Sequence, residues 1–107
     1  MKFEFSPYIA IQVQDNAKAV DFYKRVLGME FVDERGTDTY LNKDGINFVI
    51  EDNSEGAGSA FFEFKTDNLA EAKQALLAEG CEITAEYNEH SIMFSDPFGM
   101  NFHVWEE

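Results

Sequence analysis

The sequence predicts an α+β fold of two tandem βαβββ modules whose mixed sheets form a curved open cleft. Three observations predict it. A capping pair and a glycine stop recur at a fixed spacing, since Asp15, Asn16 and Gly28 become Asp67, Asn68 and Gly80 on adding fifty-two. Each copy encloses an apolar set of helical period and is followed by three short runs that read as strands. Residues 53–59, polar and glycine-rich, read as a linker, leaving module 1 at residues 1–52 and module 2 at 60–107 of one domain.

The first strand is Tyr8-Ile9-Ala10-Ile11-Gln12-Val13-Gln14, with Ile9, Ile11 and Val13 on one face and Tyr8, Ala10, Gln12 and Gln14 on the other. Asp15-Asn16 offers capping oxygens, and Ala19, Val20, Tyr23, Val26 and Leu27 recur at helical spacing until Gly28 ends the helix. Strands follow at Met29–Asp33, Thr39–Leu41 and Ile46–Glu51, with Asp44-Gly45 as a tight hairpin turn. Module 2 repeats the order. Ala60–Lys65 is a strand, Leu69, Ala72, Leu76 and Leu77 lie on a helix stopped by Gly80, and Cys81–Glu86, Ser91–Ser95 and Met100–Trp105 are strands. Asp96-Pro97-Phe98-Gly99 has the residue order of a type I turn. A strict shift of fifty-two would set Glu63 and Lys65 at the places of Ile11 and Val13, so a one-residue offset is expected there. Ala60, Phe62 and Phe64 then face the helix.

Strand side chains alternate, so what does not face a helix faces the cleft. Tyr8, Gln12, Glu51, Phe61, Glu63, His103 and Trp105 are expected to line it, an aromatic and acidic surface suited to a planar or cationic organic molecule. The plainer alternative makes Tyr8, Phe61 and Trp105 core aromatics and Glu51 with His103 a hydrogen-bonded pair that orders the cleft without chemistry. His90, next to Glu89, reads as a solvated turn residue, and Cys81, without a basic neighbour, as structural.

Twenty-one acidic against eight basic residues give a formal charge of −13, which repels phosphate backbones and anionic lipid. Nucleic acid and membrane are therefore excluded as partners. Hydrophobic residues at 45%, sixteen of the chain's residues being aromatic, supply one core without a disulfide, and Cys81 is the only cysteine. No apolar run approaches the ~20 residues of a membrane span and no leader is visible, so the chain reads as cytoplasmic.

Asp21-Phe-Tyr-Lys-Arg-Val-Leu-Gly28, the first strand through Asp15 and the ending Asp-Pro-Phe-Gly-Met-Asn-Phe-His-Val-Trp-Glu resemble the glyoxalase/bleomycin-resistance/extradiol-dioxygenase superfamily, also called vicinal oxygen chelate. In metal-dependent members, the resemblance implies, ligands stand at the positions of Tyr8, Glu51, Phe61 (or Ala60) and His103. Only Glu51 and His103 are donors of the usual type. Divalent sites need three or four, so no metal and no cofactor are expected. The resemblance thus implies a small-molecule binder of the drug-sequestering type. The alternative is a glyoxalase-like lyase or isomerase, or an oxygenase, in which Glu51 and His103 bind a divalent metal or act as base and acid. A structural or protein-interaction module is a third class that no residue favours. Phe3, Phe5 and Pro7 form an apolar strip without an evident internal partner, and with the pairing of modules common in the superfamily this leads us to expect a homodimer.

Overall fold

The computed structural model describes residues 1–107. Its elements are β1 (Phe3–Val13), α1 (Asn16–Arg25), β2 (Glu30–Arg35), β3 (Asp38–Lys43), β4 (Ile46–Asp52), β5 (Ala60–Thr66), α2 (Leu69–Ala78), β6 (Glu82–Asn88), β7 (Ser91–Ser95) and β8 (Asn101–Glu106). That is βαβββ twice, an α+β fold, as the repeat predicts. The chain groups into two compact units, Pro7–Ala60 and Phe61–Glu107, and Met1–Ser6 belongs with the second.

Module 1 has the strand order β2-β3-β4-β1, with β1 parallel to β4 and the other pairs antiparallel. Ile9 and Ile11 pair with Phe48 and Ile50, while Ala10 and Gln12 pair with Val49 and Glu51, so the two parities make two faces. Asp44 (φ 52°) and Gly45 (φ 85°) form the left-handed two-residue turn between β3 and β4 that the hairpin's twist favours.

Helix α1 departs from expectation. None of its side chains is fully buried, and Phe22, Val26 and Leu27 are about half exposed. The helix ends at Arg25, which leaves Val26 and Leu27 in the unwinding turn where Gly28 takes φ 71° and Met29 N–H reaches the Tyr23 carbonyl at 3.0 Å. Polar contacts dock it instead. Asp15 caps it by accepting from Lys18 N–H at 3.1 Å. Asn16 Nδ2 donates to the Ile50 and Thr37 carbonyls at 2.9 and 3.2 Å, and its Oδ1 accepts from Thr39 Oγ1 at 3.1 Å.

Module 2 has the order β5-β8-β7-β6, again with one parallel pair, β5 with β8. Its core is Leu69, Cys81, Ile92, Phe94 and Val104, with Phe64, Leu76, Ile83 and Phe102 packed against it. Phe94 stacks on Phe102 at 5.7 Å, and Phe64 meets Phe102 edge-on at 6.1 Å. The one-residue offset is present. Phe62 pairs with Phe102 and Phe64 with Val104, which sends Glu63 and Lys65 to the opposite face, although only Phe64 of the expected inward set reaches the core. The offset extends into the helix, for Asn68 caps α2 by accepting from Glu71 N–H at 3.0 Å where a shift of fifty-two from Asp15 would name Asp67.

Strand β1 begins at Phe3, because the alternation of Phe3 and Phe5 continues through Pro7, which the sequence pattern reads as a boundary. The apolar strip has an internal partner after all: the Phe5 ring meets Phe64 edge-on at 5.9 Å. Lys2 N–H donates to Asp67 Oδ1 at 2.9 Å. Residues 53–59 do more than connect. Gly58 N–H donates to the Gln12 carbonyl (3.0 Å), Gln12 N–H to that of Ser59 (2.9 Å) and Asn53 N–H to that of Val13 (2.9 Å), folding the segment against the end of β1.

Candidate functional site

On module 1, the face away from α1 carries Tyr8, Ala10 and Gln12 from β1, Val49 and Glu51 from β4, and Tyr40 from β3. Gln12 Nε2 donates to Glu51 Oε1 at 3.2 Å. Gln12 is buried because Gly56 lies on it, and a Cβ at Gly56 would fall 1.8 Å from Gln12 Oε1. Tyr8 meets Tyr40 edge-on at 5.3 Å, and the Arg35 guanidinium stands 5.0 Å from the Tyr40 ring. Arg35 Nε also donates to Asp33 Oδ2 at 3.0 Å, which with the Glu34 N–H on the other oxygen holds the Asp33 carboxyl below its usual range. Glu51 pairs with Gln12, four strand residues from Tyr8 and so roughly 13 Å along β1. Tyr8 and Glu51 do not converge as two ligands of one ion would.

On module 2, Glu63 and His103 stand opposite each other on β5 and β8. His103 Nδ1 is 3.4 Å from Glu63 Oε1, and the two side chains are only 17% and 13% exposed. His103 Nε2 is 2.5 Å from Ser91 Oγ, and the Tyr87 ring meets the imidazole edge-on at 6.0 Å. In the tautomer with its proton on Nδ1, Nε2 presents its lone pair to the Ser91 hydroxyl. Lys65 Nζ sits 5.6 Å from the centre of the Trp105 ring and 3.0 Å from Glu107 Oε1. Phe61 shares this parity and is buried.

Within each module the expected site residues meet close neighbours: Gln12 pairs with Glu51, and Glu63 with His103. Tyr8 goes with Tyr40, and Trp105 with Lys65. Ser91 and Tyr87 were not anticipated. Ser91 was legible in principle: counting back across the turn after Ser95 pairs Met93 with His103 and Ser91 with Trp105, which gives Ser91 the parity of His103. Asp96 Oδ1 pins that turn by accepting from Phe98 and Met100 N–H, both at 2.9 Å.

His90 is an exposed turn residue, 3.6 Å from Glu106. Burial, with Asp96 and Glu79 nearby, pushes the Cys81 thiol up, against a nucleophilic role. Two concavities of module 2 lie elsewhere: 380 Å³ beside Lys2, Lys65 and Asp67, and 480 Å³ beside Leu69, Lys73 and Glu86. None of the seven residues lines either one. The metal-dependent pattern does not fit these residues, because no three His, Cys, Asp or Glu side chains are grouped to hold an ion. No helix is long and apolar enough to cross a membrane.

The family model of the Glyoxalase/Bleomycin resistance protein/Dioxygenase superfamily matches residues 6–104. No curated protein is similar in sequence. Among solved structures, a glyoxalase/bleomycin resistance protein/dioxygenase superfamily member from Vibrio splendidus 12B01 is 19% identical with a TM-score of 0.63, over 99% of this chain and 100% of that one. Methylmalonyl-CoA epimerase from Mycobacterium tuberculosis is 16% identical with a TM-score of 0.59, over 92% and 85%. A chain from Legionella pneumophila described as an NAD-dependent benzaldehyde dehydrogenase is 14% identical with a TM-score of 0.71, over 92% and 96%. At these identities the likeness is one of fold.

Proposed function

The chain belongs to the glyoxalase/bleomycin resistance/dioxygenase superfamily, and from that premise we propose that it is a non-metal, small-molecule-binding member that takes up a planar, cationic organic compound. The observation that carries this reading is the Lys65 ammonium held 5.6 Å from the Trp105 ring. A cation already occupies that aromatic surface, and a ligand cation can take its place there. Glu63, two residues before Lys65 on the same strand face, adds negative charge to the same surface. The acidity of the whole chain raises the local concentration of such ligands.

Trp105 is the only tryptophan, so its fluorescence reports on the site. Titration with bleomycin-type and other cationic aromatic compounds is expected to change it saturably. Trp105→Ala weakens binding more than Glu107→Gln at the rim, since buried aromatic anchors dominate binding energy. No response to any compound from a folded protein overturns the reading.

The proposal includes a homodimer in a reducing, cytoplasmic setting. Phe22, Val26 and Leu27, with Phe31 and Val32 of β2, leave an exposed apolar patch on module 1. A second copy suits it. Lys24 and Arg25 flank the patch, and residues 61–107 carry ten acidic against two basic side chains, so a copy offers matching charge.

A further inference from the structure

We infer that Ser91 is a nucleophile, its hydroxyl equipped by His103 and Glu63 to attack an activated acyl or phosphoryl centre. A serine hydroxyl is a weak nucleophile until a base within hydrogen-bond reach takes its proton. His103 Nε2 lies 2.5 Å from Ser91 Oγ, and Glu63 Oε1 lies 3.4 Å from Nδ1 on the far side of the ring. In the tautomer with its proton on Nδ1, His103 Nε2 is free to accept, and the Glu63 carboxylate beside Nδ1 offsets the imidazolium formed when the proton arrives. The pair is largely shielded from water, which strengthens that offset. Ser91 is the first residue of β7, partly exposed beside the Glu89-His90 turn, so a small electrophile has a way in from solvent.

With an ester, Ser91 Oγ bonds to the carbonyl carbon while its proton moves to His103 Nε2. The bond to the leaving alkoxide breaks and the alkoxide takes that proton. With a fluorophosphonate, the P–F bond breaks, fluoride departs and a phosphonyl-serine remains. Ser91 is the catalytic residue of this site with His103, and Glu63 is a positioning residue. The inference does not depend on the binding reading, because Trp105 fluorescence reads binding with no covalent step.

The test is labelling of the intact protein with a fluorophosphonate probe, read by whole-protein mass and peptide mapping. One adduct on Ser91 is expected, absent from Ser91→Ala. His103→Gln should slow labelling by roughly 10²-fold or more. Glu63→Gln should slow it, and Glu63→Asp, which keeps the charge, should restore part of the rate; a merely structural role would not follow the charge. No adduct on Ser91, or wild-type labelling of folded His103→Gln, overturns the inference. Should His103→Gln not fold, the Glu63 variants decide, and equal labelling rates in Glu63→Gln and Glu63→Asp overturn the inference.

Discussion

Gly56 shows how one missing methyl group can hold a polar pair in place. Its Cα lies against the Gln12 amide, which in turn donates to Glu51, and all three are tied to the folded-back 53–59 segment. Gly56→Ala puts a Cβ 1.8 Å from Gln12 Oε1, so the buried side chain has to leave Glu51. We expect a loss of roughly 1–3 kcal/mol, the usual cost of stranding a buried polar group. Urea unfolding measures it, and Gly56→Ala combined with Gln12→Ala is expected to cost less than the sum of the two single changes. Equal additivity would mean that Gly56 acts on something other than Gln12. The composition of 53–59 shows a loop, but not that the loop closes on β1: glycine and serine spacing announces turns without saying what they cover. His103 is similar. Alternation gave its face, whereas its partners Glu63 and Ser91 come from two neighbouring strands and depend on register, which periodicity alone does not supply.

The two helices carry the same pattern and are held by different physics. Helix α2 buries Leu69 and Ala72 against an apolar core, while α1 buries no side chain and depends on the three hydrogen bonds of Asn16. Asn16→Ala leaves Thr39 Oγ1 and the Ile50 carbonyl without that partner, and we expect it to destabilise module 1 by about 1–3 kcal/mol. Asn68→Ala removes mainly a cap and should cost about 1 kcal/mol. Thermal unfolding of both variants checks the order; the reverse order would show that the apolar face of α1 does the docking. The caps and glycine stops were readable because they are local. What each helix meets is tertiary, and the apolar spacing of Val26 and Leu27 overran the helix by two residues.

The start of β1 has its own pH dependence. The Lys2 N–H lowers the Asp67 carboxyl from its ordinary value. A depressed carboxyl contributes stability above its unfolded value, about 3.9, and loses it as pH falls through the folded value. The Lys2 amide is therefore expected to stay protected from hydrogen exchange at neutral pH and to lose protection only in acid. Asp67→Asn should remove that acid step, and a step that persists in the variant would assign it to another group.

For the whole molecule the governing balance is between a net charge of −13 and an apolar patch on module 1. Two chains of like charge repel over tens of ångströms at low salt, and near physiological ionic strength the screening length falls to roughly 8 Å. Contacts such as those offered by Lys24 and Arg25 act at shorter range and are screened less, while apolar burial does not depend on charge. The self-association proposed for the chain should therefore tighten as salt rises, the opposite of an interface held mainly by charge. Light scattering and sedimentation across a salt series follow the dimer, and Phe31→Glu, at a side chain 51% exposed in the single chain, should dissociate it without unfolding. A monomer at every salt and micromolar concentration rules the dimer out. Weakening with added salt would place the contact on the charged rim, because only pairs of opposite sign lose strength when screened.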